Sequence, residues 1–76
     1  MQAAVFATNS GKRLRGVGDL DNAVAQFQAA IAAVPGYAPA HYELGLTLKL
    51  QGKPHEALVE FQTAKKLDPR LEIPRF

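Results

Sequence analysis

The sequence predicts an all-α fold, two stacked antiparallel helical hairpins in the manner of an α-α superhelix. Three observations predict it. A 34-residue echo runs through the 76-residue chain: Gly11, Leu14, Gly18, Ala23, Phe27, Gln28, Ala30 and Pro35 return as Gly45, Leu48, Gly52, Ala57, Phe61, Gln62, Ala64 and Pro69, with no gap. Apolar residues inside each copy recur at helical spacing. Pro35-Gly36, Gly52 and Asp68-Pro69 punctuate the periodic stretches. A unit this short cannot bury its own apolar face, so it leans on a neighbour and the pair shares one core.

The first helix spans roughly residues 3–15 and is the weakest by pattern. Asn9, Ser10 and Gly11 sit at its middle, where helix propensity is poor. Gly16-Val17-Gly18 loosens its end, so this helix is expected to fray first.

The second helix, 21–33, is the clearest. Ala23, Val24, Phe27, Ala30, Ile31 and Val34 share one face. Asp19 is placed to cap it by accepting hydrogen bonds from first-turn amides. Pro35-Gly36 ends it, with glycine expected to take a left-handed turn.

Residues 42–50 pose a conflict. Tyr42, Leu44, Leu46, Leu48 and Leu50 alternate with polar or small residues, which alone argues for a strand. Read as a helix, they form two stripes, Ala40/Leu44/Leu48 and Tyr42/Leu46/Leu50. Pro39 near the start and Gly52 after the end fit a helix of about twelve residues, and the repeat decides for it. The fourth helix, 55–67, copies the second with Ala57, Leu58, Phe61, Ala64 and Leu67. Pro54 suits its first position, and Lys65 and Lys66 complement its C-terminal dipole.

Bulk properties narrow the function classes. The length admits one domain, whose core leaves a margin of only ~3–5 kcal/mol. Without cysteine there is neither disulfide nor thiolate metal site. A net charge of +2 is small for a nucleic-acid binder. No stretch approaches the ~18 apolar residues of a membrane span, and the opening MQAAVFATNSGKR lacks signal-peptide order, so a cytoplasmic location is expected. No catalytic constellation, phosphate loop or metal-spaced histidine pair is visible, so no enzyme activity, metal or cofactor is expected. His41 and His55 fall near the starts of different helices, where a solvated polar residue is the ordinary reading.

These residues together resemble the tetratricopeptide repeat (TPR) family. The second copy follows the family pattern nearly throughout in "AHYELGLTLKLQGKPHEALVEFQTAKKLDP", with Leu44-Gly45, Leu48, Gly52, Ala57, Phe61, Ala64 and Pro69 at signature positions. The first keeps Gly11, Leu14, Gly18, Ala23, Phe27, Ala30 and Pro35. It departs at Ala7, Ser10 and Arg13, where the family usually has a large aromatic, a Leu and a small buried residue. The resemblance implies a single domain with repeats at 4–37 and 38–71 and a tail at 72–76. Gly11 is expected opposite Ala23 and Gly45 opposite Ala57, allowing close helix approach. Phe27 and Phe61 are expected to fill the space between hairpins.

The resemblance also implies where a ligand goes. In such arrays the first helix of each repeat lines a concave groove. Its residues here are Thr8, Lys12 and Arg15, side by side with Tyr42, Leu46 and Lys49. Arg15 beside Lys49 is expected to form a basic edge and Tyr42 with Leu46 an apolar patch, suiting an acidic peptide or a peptide C-terminus with an aliphatic side chain. The clamp by which some members grip acidic chaperone tails is not matched, since its places carry Thr8, Lys12 and Glu43.

Two repeats are fewer than the usual three. Leu67, Leu71, Ile73 and Phe76 are expected at the open end, and Pro74 keeps the tail from forming a full capping helix. Either the chain is a piece of a longer array, or it covers this end by pairing with another copy; the alternative to pairing is a marginal monomer with the tail folded back over its second hairpin. The expected function is thus a protein- or peptide-binding module. A homo-oligomerisation segment is the alternative, and single-stranded RNA binding, suggested by Lys12-Arg13-Leu14-Arg15, is the weaker reading because Tyr42 alone offers a stacking aromatic.

Overall fold

A computed structural model describes residues 1–75. Four helices follow one another: α1 (Gln2–Gly16), α2 (Leu20–Ala33), α3 (Ala38–Leu50) and α4 (Pro54–Leu67). α1 packs on α2 and α3 on α4, α2 packs on α3 between the hairpins, and α1 meets α3 more lightly. Residues 42–50 are helical, so the alternation of Tyr42 to Leu50 reports two helix faces. Ala40, Leu44 and Leu48 are buried on one, while Tyr42 and Leu46 are half-buried and Leu50 exposed on the other.

The 34-residue echo is kept in backbone geometry. Asp19 N–H donates to Leu14 O and Lys53 N–H to Leu48 O, each at 2.9 Å; Gly18 N–H reaches Arg15 O and Gly52 N–H reaches Lys49 O, each at 3.0 Å. This double closure of a helix end needs a left-handed residue, which Gly18 (φ 83°) and Gly52 (φ 77°) supply. The Gly16-Val17-Gly18 run therefore ties off α1 where looseness was expected. Gly36 is not left-handed; its turn is made by extended Val34 (φ −138°, ψ 92°), matched by Asp68 (φ −137°, ψ 93°). Asp19 precedes α2 but makes no side-chain cap bond; its carboxylate accepts from the Asn22 side chain at 2.8 Å instead.

The main core unites both hairpins through Ala23, Phe27, Leu44, Leu48, Ala57 and Phe61, with Leu14, Val24, Ile31, Tyr42, Leu46 and Ile73 packed around it. A second cluster of small residues, Ala4, Ala7, Ala30 and Ala40, closes the other end of the joint. Ala64 is fully buried, while Pro35 and Pro69 are exposed in their turns. Gly11 and Gly45 do sit at close approaches, but the nearest atoms belong to phenylalanine. A Cβ at Gly11 would lie 2.5–2.8 Å from three Phe27 ring carbons, and one at Gly45 would lie 2.7–3.1 Å from three of Phe61. The cause is the lean of helical side chains toward their own N-terminus, which carries each ring back to the level of the alanine one turn earlier. Phe27 and Phe61 thus fill space within their own hairpins as well as in the core shared between them.

Candidate functional site

The six candidate groove residues lie on α1 and α3, yet they do not form one basic surface. Thr8 is buried and its hydroxyl donates to Ala4 O at 2.7 Å, a back-bond to its own helix that leaves it little to offer a ligand. Lys12 is exposed.

Arg15 reaches forward instead of sideways. Its Nη2 lies 2.6 Å from Glu43 Oε1, its Nη1 donates to Glu43 O at 3.2 Å, and its guanidinium carbon sits 5.8 Å from the Phe27 ring centroid. Both side chains of this ion pair are about four-fifths buried. The basic edge of Arg15 beside Lys49 is therefore not formed. Arg15 ties the first hairpin to the second, and Glu43 cancels its charge. Arg13, at a site that is often small and buried, is exposed because no helix covers that face of α1; Thr47, its counterpart on α3, is fully buried.

Tyr42 and Leu46 remain as an apolar pair, half-buried where they pack on the core. The Tyr42 ring meets Phe61 edge-on at 5.4 Å between centroids. Lys49 also reaches forward: its Nζ donates to the main-chain carbonyl of Arg75 at 2.6 Å. The segment after α4 has folded back along the second hairpin. Ile73 packs against the main core and Leu71 is half-buried, so neither stands at an open end, and the tail follows the folded-back alternative. Leu67 is 44% exposed, and Phe76 lies outside the described residues. Val59, Gln62, Thr63, Lys66, Pro69 and Ile73 line a groove of about 600 Å³ between α4 and this segment.

The two histidines part company. His55 is exposed. His41 is not the solvated residue its position suggested: it is buried, with Nε2 donating to Pro35 O at 2.8 Å and Nδ1 2.8 Å from Glu60 Oε1. It pins the α2–α3 turn to α4, a structural task that fixed spacing could not reveal. Arg70, at the end of the α4 turn, holds the half-buried Asp68 carboxyl below the usual carboxylate range by side-chain and main-chain hydrogen bonds. Among the described residues, no three His, Cys, Asp or Glu side chains gather where they could hold a metal ion. No helix among them is long and apolar enough to cross a membrane.

A family model described as TPR repeat matches residues 11–52, and one described as tetratricopeptide repeat matches residues 38–71. No curated protein matches the chain.

Proposed function

We propose, for a chain that belongs to the tetratricopeptide repeat family, that it is a non-catalytic protein-interaction module which takes an extended peptide on the exposed side of α3. Repeats of this family generally mediate protein–protein interaction. The observation that carries the finer reading is the pair Tyr42 and Leu46. Both pack against the core while staying half-buried, and both share α3 with Lys49. A rigid apolar pair next to a cation suits a side chain and a carbonyl or carboxylate of an incoming main chain. Lys12 adds an exposed cation on α1. A peptide array probed with wild type and with Lys12→Glu/Lys49→Glu tests this. Loss of capture in the variant supports the reading, and equal capture of the same peptides refutes it.

A second reading has its own observation. Phe6 is 71% exposed on α1, beside a hollow of about 500 Å³ lined by Ser10, Arg13, Leu14, Val17 and Gln26. A large aromatic left in water beside a hollow supports end-to-end association of copies. Leu67 offers further exposed apolar surface at the other end. Sedimentation of wild type and Phe6→Asp across a hundredfold dilution decides it, since a constant monomer mass for wild type excludes the association.

A further inference from the structure

Residues 71–75 occupy the place of a third hairpin without being one. Lys49 follows Arg15 by 34 residues, and its carbonyl partner Arg75 follows Glu43, the carbonyl partner of Arg15, by 32. Each cation thus donates to the main chain of whatever comes next. The turns agree as well: Tyr37 N–H donates to Val34 O and Leu71 N–H to Asp68 O, each at 3.0 Å. After that the resemblance stops. Residues 71–75 form no helix; Leu71, Ile73 and Pro74 are half-buried, while Glu72 and Arg75 are exposed. The receiving surface differs too. Where α2 packs Ile31 and Val34 against the small-residue cluster of the joint, α4 carries Lys65 and Asp68. α4 and its C-cap thus offer charge where α2 and its C-cap offer aliphatic surface, and a non-helical segment that needs one apolar foothold and one carbonyl contact is accommodated there.

We propose that the surface under residues 71–75 is the peptide-binding site of the module and that this segment is its resident pseudo-ligand. It follows that the partner is an extended peptide with an aliphatic side chain two residues before the carbonyl that Lys49 holds, as Ile73 precedes Arg75. The partner binds by displacing the segment in competition. This rests on the peptide-binding reading above and adds the identity of the surface, the chemistry of the ligand and the masking. An attached segment acts at an effective concentration of about 1 mM, so a segment whose own Kd for the site is about 0.1 mM masks it roughly tenfold against any peptide.

The test uses the full chain and a fluorescein-labelled peptide of sequence Arg-Leu-Glu-Ile-Pro-Arg-Phe, the sequence of residues 70–76. Fluorescence anisotropy is read with wild type, Ile73→Asp and Ile73→Asp/Lys49→Ala, each checked for unchanged helicity. Ile73→Asp should bind about tenfold more tightly than wild type, and removal of Lys49 should reverse at least threefold of that gain. A measurement on unmutated protein runs beside it. In 15N-labelled wild type, saturating peptide should release residues 71–75, seen as loss of their heteronuclear NOE. Equal affinity of wild type and Ile73→Asp, or binding that leaves residues 71–75 ordered, overturns the proposal. If array peptides still bind both proteins equally and lose Lys12→Glu/Lys49→Glu, the groove reading survives and only the pseudo-ligand fails. If no peptide binds any form, both fall.

Discussion

Adding one methyl group at Gly45 tests the packing inside the second hairpin. Gly45 lies in the interior of α3, and a Cβ there would sit 2.7, 2.8 and 3.1 Å from ring carbons of Phe61. That ring has no solvent exposure and is held edge-on by Tyr42, so it cannot swing aside cheaply. Overpacking of this kind costs about 1–3 kcal/mol. Replacing glycine by alanine inside a helix returns about 0.8–1 kcal/mol of propensity. The net loss for Gly45→Ala is then about 1–2 kcal/mol at the upper part of the overpacking range, enough to lower Tm by about 5–15 °C in a domain of this size. Urea denaturation followed by circular dichroism at 222 nm measures it. The sharper readout is a cycle with Phe61→Leu, which removes the ring that clashes. The double variant should be at least 0.5 kcal/mol more stable than the sum of the single losses, beyond the scatter of about 0.3–0.5 kcal/mol seen for independent sites. Additive losses, or a Gly45→Ala protein more stable than wild type, would refute the argument that the ring dictates glycine.

Gly18→Ala and Gly52→Ala meet no atom within 4 Å, yet both positions are left-handed, so each should lose about 1–2 kcal/mol through backbone strain alone in the same denaturation assay. Arg15→Ala strips a largely buried Glu43 carboxylate of its charged partner and should cost about 1.5–3 kcal/mol, with a clear coupling energy in a cycle with Glu43→Gln. Phe27→Ala leaves a void in the joint and should cost about 3–5 kcal/mol, sufficient to unfold so small a domain at 25 °C. Asp68 is a case of pH dependence with a worked sign. Its carboxyl is held down in the folded chain by Arg70, so its contribution is present above the unfolded carboxylate pKa and fades as pH falls through the lowered folded value. Because the pair is in solvent, Arg70→Gln should raise the Asp68 titration midpoint by NMR while leaving neutral-pH stability nearly unchanged.

The helices and their turns were readable because the constraints that set them are local and stated twice. Gly18 and Gly52 mark the same left-handed closure, and the 34-residue repeat, with Pro39 and Gly52 as bounds, resolved the strand-like alternation at Tyr42 to Leu50. What escaped the sequence is the pairing across the joint. Arg15 finds Glu43 at 28 residues' separation, His41 finds Glu60 at 19 and Lys49 finds Arg75 at 26. None of these separations is a multiple of the repeat, and each depends on how far one hairpin is turned against the next. Counting in steps of 34 placed Arg15 and Lys49 as lateral neighbours. In space both long side chains point onward along the stack. The exchange of Ala23 for Phe27 as the neighbour of Gly11 has a simpler origin, because a ring reaches a full turn from its own Cα and sequence offset does not show it.

The difference between positions 15 and 49 has a mechanical consequence. A guanidinium grips Glu43 with two prongs and rests on an aromatic ring, which sets the hinge between the hairpins rigidly. At the equivalent place one repeat later, an ammonium on a flexible stem takes hold of a backbone oxygen. One coupling behaves as a weld and the other as a latch, so curvature is fixed in the body of the molecule and freedom is concentrated at its far edge.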